Sequence, residues 1–168
     1  EENDRTAEYL MAKPVSKAAV ITSKLVAALL NVIVINLVTL VSFLVVVSFY
    51  SKSADVSGEI RTLLLSMFFV QLIFLSLGAA LAAGMKNPKA SGSLAAGILL
   101  IGYVVARITD MSDRLRFMNV ISPFKYFDLG TVVAGGSLNA GAIFLSLGLA
   151  GVFIALAYLL YQKRDLSI

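Results

Sequence analysis

Residues 25–50 read LVAALLNVIVINLVTLVSFLVVVSFY, a run of 26 residues without a charged side chain. Its many β-branched residues would favour a strand in water. The length favours a helix, because about 20 apolar residues are needed to cross the ~30 Å hydrocarbon core of a bilayer. A helix also satisfies the backbone hydrogen bonds within the segment, as lipid requires. The stretch therefore predicts a transmembrane helix over about 24–50.

Three further apolar segments follow the first. The sequence predicts spans over about 62–85, 90–111 and 140–162. In the third of these, Arg107 can snorkel to the interface and so let the helix extend to residue 111. The glycine-rich break at 135–139 separates the last span from the apolar residues before it. We therefore expect an all-α polytopic helical membrane protein with about four transmembrane helices and short amphipathic or interfacial helices.

The composition supports this fold class and excludes several kinds of site. Hydrophobic residues make up 59% of the chain and charged residues 14%, against about 45–50% and about 25% in soluble domains. The absence of His and Cys removes disulfides, thiolate nucleophiles and the usual zinc ligands. A scattered net charge of +4 argues against nucleic-acid binding.

The connection at 112–139 combines aromatic and basic side chains around Pro123. Such mixtures suit the headgroup region of a bilayer. We interpret this connection as a re-entrant or interfacial segment, and an ordinary soluble loop is the alternative.

The distribution of basic residues gives a weak orientation. With the N-terminus in the cytoplasm, eight Lys and Arg lie inside and six lie outside. This bias has the sign that the positive-inside rule requires. The inside set is Arg5, Lys13, Lys17, Lys24, Lys86, Lys89, Lys163 and Arg164, and the outside set is Lys52, Arg61, Arg107, Arg114, Arg116 and Lys125.

The segment before the first span predicts two helices separated by a break. Residues 4–13 form a plausible short helix, which Pro14 interrupts because it lacks an N–H and disfavours a helical Lys13. Ser16 can cap a second helix that runs into the first span. A short helix set at an angle to a membrane helix can transmit force from a cytoplasmic partner. An interfacial anchor is the alternative.

Polar residues follow one face of the first span, within roughly 140° at 100° per residue. They either line a substrate path or form hydrogen bonds between helices. These residues are Asn31, Asn36, Thr39 and Ser42.

Other features indicate packing rather than chemistry. Small residues four apart permit close helix contact, although a flexible gate is the alternative. Arg107 and Asp110 are spaced as a helical ion pair, solvated or functional. No charge lies near the middle of a span, and neither a phosphate-binding Gly-Lys-Ser/Thr loop nor a carboxylate pair is evident. We therefore do not expect an enzyme or a bound cofactor. The small pairs are Gly78–Ala82, Ala80–Gly84, Gly92–Ala96 and Gly151–Ala155.

Four stretches together resemble the permeases of ABC transporters of the type-two exporter class. They are RTAEYLMAKPVSK at 5–17 with Lys24, KNPKA at 86–90, SPFKYF at 122–127 and RDL at 164–166. The chain departs from the usual pattern in having Arg5 in place of Gly and Lys17 in place of Arg. Neither change removes the proline break or the basic face.

The resemblance implies a six-span permease half, of which this chain holds about spans three to six. This agrees with a chain that begins at Glu1 without Met, which we expect to be part of a longer protein. Residues 1–23 would be the cytoplasmic coupling-helix segment and 24–168 the transmembrane domain. The residues that the resemblance assigns to ATPase coupling are Thr6, Glu8, Lys13, Pro14, Ser16 and Lys17.

The resemblance also implies the partners. A separate ATP-binding subunit would use ATP and Mg, and a second permease half would complete a homo- or heterodimer in a bacterial or archaeal cytoplasmic membrane. Membrane lipid would surround it. The alternative is a non-transporting membrane sensor or assembly subunit that also binds an ATPase.

Overall fold

The structure, a computed structural model, describes residues 16–50, 57–85, 87–111, 119, 122–127, 130 and 138–163. It contains four long α-helices and a short 3-10 helix between the third and fourth. These are α1 (Lys17–Tyr50), α2 (Ser57–Gly84), α3 (Pro88–Met111), η1 (Pro123–Lys125) and α4 (Ala140–Lys163). All four α-helices are long and apolar enough to cross a membrane. The all-helical class and the number of spans are therefore confirmed.

Two of the helices extend beyond the predicted spans at their N-terminal ends. α1 begins at Lys17, as expected for a helix that is capped by Ser16 and runs into the first span, and α2 begins at Ser57, before its predicted span at about 62–85. At 1.5 Å per residue, the 34 residues of α1 make a helix about 51 Å long, which exceeds the ~30 Å hydrocarbon core. One end of α1 therefore extends beyond the apolar layer as a continuous helix.

α2 is the central helix, since it packs against α1, α3, η1 and α4, and most extensively against α4. Its buried residues recur at intervals of three, four or seven, which keeps them on one face. This pattern holds for Ser66, Ile73, Ser76, Ala80 and Ala83, and the remaining buried residue, Ile60, lies off this face near the start of the helix. The buried residues of α4 are all small: Ala142, Ser146, Ala150 and Ala157. Small side chains let two helix backbones approach closely in lipid, where apolar burial gives little drive.

The buried serines of α2 and α4 serve as small side chains and, among the described residues, do not form hydrogen bonds between helices. The hydroxyl of Ser76 donates to the carbonyl of Ile73 at 2.8 Å, and that of Ser146 donates to the carbonyl of Ala142 at 2.8 Å. Each hydroxyl is thereby satisfied within its own helix. These serines are compatible with a water-free interface because they leave no donor unpaired.

The predicted small-residue contacts form on α2 but not throughout the chain. A methyl group added at Gly84 would lie 3.0 Å from the Leu160 side chain, and one at Gly78 would lie 3.9 Å from the Ala95 methyl. By contrast, a methyl group added at Gly92 or Gly151 would meet no described atom within 4 Å. Of these four glycines, only Gly84 lies where an added methyl group would be closer to a neighbour than ordinary van der Waals contact.

Most of the α1 surface is apolar and uncovered. Val34, Leu37, Val38 and Val41 are each more than half exposed. A continuous apolar surface of this kind is unstable in water and is typical of residues that face lipid or other membrane helices.

Candidate functional site

The first turn of α1 carries the N-cap that the sequence predicts. The hydroxyl of Ser16 accepts a hydrogen bond from the backbone N–H of Ala19 at 3.1 Å. Because the first N–H groups of a helix lack partners within the helix, such a cap fixes where the helix begins. The predicted cap at Ser16 is confirmed. Lys17 follows within the same helix.

The other predicted coupling residues lie outside the described part of the chain. They are Thr6, Glu8, Lys13 and Pro14. The division into a segment at 1–23 and a membrane domain at 24–168, and the coupling role of all six residues, stay predictions. The structure does show α1 continuing unbroken across residue 23.

The start of α1 is tied to the ends of α2 and α4. Ile21 packs into a buried cluster with Ala80, Ala83 and Ala157. Beside this cluster, the hydroxyls of Thr22 and Tyr158 lie 2.7 Å apart. We call this set (Ile21, Thr22, Ala80, Ala83, Ala157 and Tyr158) the junction cluster.

The hydrogen-bond direction within the junction cluster follows from proton counting. The Thr22 hydroxyl donates its single proton to the carbonyl of Ala18 at 2.7 Å. Its oxygen can then only accept, so Tyr158 is the donor between α4 and α1. Sequence reasoning missed this pair. A tyrosine near the end of a span was the available signal, because a buried phenol usually finds a partner.

The predicted polar face of α1 divides into two kinds of residue. The hydroxyl of Thr39 donates to the carbonyl of Ile35 at 2.7 Å, and that of Ser42 donates to the carbonyl of Val38 at 2.8 Å. Both therefore bond within α1. Asn36 is different, since its side-chain NH2 donates both to the Val32 carbonyl and to the side-chain oxygen of Gln71 on α2.

Asn31 lies beside an open groove between α1, α2, α3 and η1. The groove has a volume of about 610 Å³, and its walls are apolar apart from Asn31 and Gln71. Of the four residues predicted to form a substrate path, only Asn31 lines this groove. Whether the four residues form a path stays a prediction. Sequence reasoning missed Gln71 because it considered the polar residues of α1 alone.

The segment around η1 folds back against α2 and α3. The hydroxyl of Ser122 is fully buried and donates to the carbonyl of Gly102 at 2.8 Å. The Phe124 ring lies 5.5 Å from that of Phe74 and 5.8 Å from that of Tyr103, measured between centroids. Gly102 lies nine residues before the end of α3, a distance of about 13 Å along the helix. η1 therefore lies beside the body of α3, well before its last residue.

Two ion pairs meet at the end of α3. The Arg107 guanidinium lies 3.3 Å from a carboxylate oxygen of Asp110, and the Lys125 ammonium contacts the other oxygen. The predicted Arg107–Asp110 pair is confirmed. Since these side chains are partly exposed, the pairs contribute little to stability. Burial raises the pKa of the neighbouring Tyr126 phenol above its ordinary value.

Among the described residues, no group of three or more His, Cys, Asp or Glu is arranged to hold a metal ion. The features that the structure brings together are a capped helix start, a junction between three helices, and an apolar groove with two carboxamides.

Comparisons with known proteins agree with this description. A family model described as "ABC-2 family transporter protein" matches residues 1–166. A search of curated proteins gave no match, and a search of solved structures gave none either. The matched region covers the four candidate spans, the junction cluster and the groove. The chain is therefore a multi-pass membrane protein that belongs to the ABC-2 transporter family.

Proposed function

We propose that this chain is the membrane-spanning permease subunit of an ATP-driven exporter, coupled to a separate ATP-binding subunit. A second permease half completes the assembly in a bacterial or archaeal cytoplasmic membrane, and the partner subunit uses the ATP and Mg. The observation that carries this proposal is the junction cluster. It connects the start of α1, which directly follows the segment resembling a coupling helix, to the ends of α2 and α4.

The mechanism follows from that connection. Closure of two ATP-binding subunits moves residues 1–15, and the rigid, capped start of α1 moves with them. Ile21 transmits the displacement to α2 by contact, and Thr22 transmits it to α4 through the Tyr158 hydroxyl. Helices that share such contacts tilt as a unit, which is how rigid-body motion exchanges inward-open and outward-open states.

The long α1 helix suits this role. A helix about 51 Å long extends beyond the hydrocarbon core at one end. Its basic residues Lys17 and Lys24 lie in the first eight residues of the helix, and by the positive-inside rule they favour a cytoplasmic position for that end. Because α1 is one continuous helix from Lys17 to Tyr50, a force applied at its first residues would move the whole helix.

The test uses the full-length protein assembled with its ATP-binding partner in vesicles. Glu8→Gln and Lys17→Ala are each compared with the unchanged protein for ATP hydrolysis and for assembly. We expect assembly to persist while the stimulation of hydrolysis by the permease falls. Lys52→Ala is the matched control, because it removes a basic residue predicted to lie on the opposite side of the membrane.

Unchanged stimulation in both variants would contradict the coupling role. The same vesicles separate transport from sensing. Binding and stimulation of an ATPase without ATP-dependent movement of any candidate cargo would instead support a non-transporting sensor or assembly subunit.

A further inference from the structure

We infer that the groove between α1, α2, α3 and η1 binds a neutral amphiphile, a molecule with a hydrocarbon body and one uncharged hydrogen-bonding group. The inference rests on the proposed function and gives the class of cargo that this permease would accept. The inference depends on the apolar lining of the groove, on the side-chain amides of Asn31 and Gln71, and on the depth of Gln71 in the membrane. It also depends on the hydrogen bond from Asn36 that orients Gln71.

The apolar side chains that line the groove favour a ligand with a hydrocarbon body. Val32 of α1, Val70 and Phe74 of α2 and Leu99 of α3 form the walls. A volume of about 610 Å³ lies within the usual range of about 300–1,000 Å³ for sites that bind small molecules. None of the described residues that line the groove is charged, and a charged group placed there would lose its hydration without compensation from them.

The side-chain amides of Asn31 and Gln71 favour a ligand that carries one uncharged polar group. The Val32 carbonyl can only accept a hydrogen bond, so it fixes the side-chain NH2 of Asn36 beside it. That NH2 also meets the side-chain oxygen of Gln71, which directs the Gln71 NH2 away from Asn36. Asn31, exposed at the same groove, supplies a second carboxamide. Together they offer donors to a carbonyl or hydroxyl oxygen.

Depth distinguishes the occupant from an ordinary bilayer phospholipid. Gln71 lies fourteen residues after Ser57 and thirteen before Gly84, about 20 Å from either end of α2. A phospholipid in a leaflet keeps its headgroup at the interface and would present only acyl chain at this depth. A group that bonds Gln71 must therefore belong to a molecule whose polar part enters the middle of the membrane, as a cargo in transit does.

The test is photo-crosslinking of the full-length protein in nanodiscs with a monooleoylglycerol that carries a diazirine in its chain. We expect saturable labelling of peptides from α1, α2 and α3, with competition by unlabelled monooleoylglycerol and not by hexadecane. Phosphatidylcholine bearing the same diazirine chain should label weakly and without saturation. Val70→Trp, which fills the groove, should abolish the saturable labelling.

Two milder variants guard against misfolding of Val70→Trp. Asn31→Leu and Gln71→Leu should each weaken binding about fivefold, as expected for the loss of one hydrogen bond. Ser48→Ala is the matched control on α1, because its hydroxyl bonds to the Val45 carbonyl within the helix and does not line the groove. It should bind as the unchanged protein does.

Two outcomes would overturn the inference. Equal, unsaturable labelling by both probes would show a lipid-facing surface without selectivity. No labelling, together with cross-links from Leu99→Cys to another span or to a second copy, would show that protein covers the groove. Binding is measured without nucleotide, so a missing ATP-binding partner would defeat the proposed function while leaving saturable binding intact.

Discussion

The hydroxyl of Tyr158 on α4 donates a hydrogen bond of 2.7 Å to the hydroxyl oxygen of Thr22 on α1. The two residues are 136 positions apart in the sequence, and each lies near one terminus of the described chain. Their contact joins the first and last spans beside the buried Ile21 and Ala157. The start of α1 is therefore in direct contact with α4.

Deleting the Tyr158 hydroxyl should reduce coupling without unfolding the protein. In Tyr158→Phe the Thr22 proton keeps its partner, the Ala18 carbonyl. The variant should lose about 1 kcal/mol of stability and most of the permease stimulation of ATP hydrolysis. The ATPase activity of the assembled complex and the thermal unfolding temperature are both measured for each variant. Tyr161→Phe, one turn further along α4, is the control, and equal loss in both variants would argue against a specific relay.

The Asn36–Gln71 hydrogen bond should be measurable as a coupling energy. A double-mutant cycle with Asn36→Leu and Gln71→Leu should give about 0.6 kcal/mol and no more than about 1.7 kcal/mol, the average and the maximum found for hydrogen bonds between membrane helices. Unfolding in detergent is a suitable measurement. Ser42→Ala should show no coupling to Gln71→Leu, because the Ser42 hydroxyl bonds to Val38 within α1. A coupling energy near zero for Asn36 would contradict the contact between α1 and α2.

Overpacking the α2–α4 interface should be costly. Ala157 is completely buried, so Ala157→Leu has no free space and should destabilise the protein by about 1–3 kcal/mol. Gly151→Ala on the same helix adds a methyl group that meets no described atom within 4 Å. It should therefore leave the unfolding temperature unchanged or slightly raised. Tolerance of leucine at residue 157 would be incompatible with close contact between these helices.

Aromatic packing rather than ion pairing should hold η1 in place. Phe124→Ala removes ring contacts with Phe74 and Tyr103 and should cost about 2 kcal/mol, less than for a fully buried phenylalanine. Asp110→Asn breaks partly exposed ion pairs and should cost less than about 1 kcal/mol. Unfolding at low and high salt compares the two. If Asp110→Asn lost more stability than Phe124→Ala, and if that loss depended on salt, then ion pairing rather than aromatic packing would hold η1 in place.

The sequence predicted the spans because lipid leaves few alternatives. Apolar length over 25–50 and the need for internal backbone bonds determine a helix without knowledge of its neighbours. The cap at Ser16 was predictable for a similar reason, since capping is local. The Arg107–Asp110 pair was predictable because its members lie one turn apart on one helix.

Contacts between helices were not predictable in the same way. Thr22 and Tyr158, or Asn36 and Gln71, meet only once the helices adopt their rotation and order, which no local pattern specifies. The spacing of the polar residues correctly put them on one face of α1. It did not show that Thr39 and Ser42 form hydrogen bonds within α1. The glycines at 92 and 151 had the same spacing signal as those of α2 but meet nothing close among the described residues.

The most direct test of the account is affinity purification of the full-length protein from its native membrane, followed by identification of the proteins that accompany it. An ABC ATP-binding subunit should accompany the permease in a similar amount and be retained in mild detergent, in the unchanged protein as well as in Glu8→Gln and Lys17→Ala. Recovery of the intact, folded protein without any ATP-binding subunit would contradict the account.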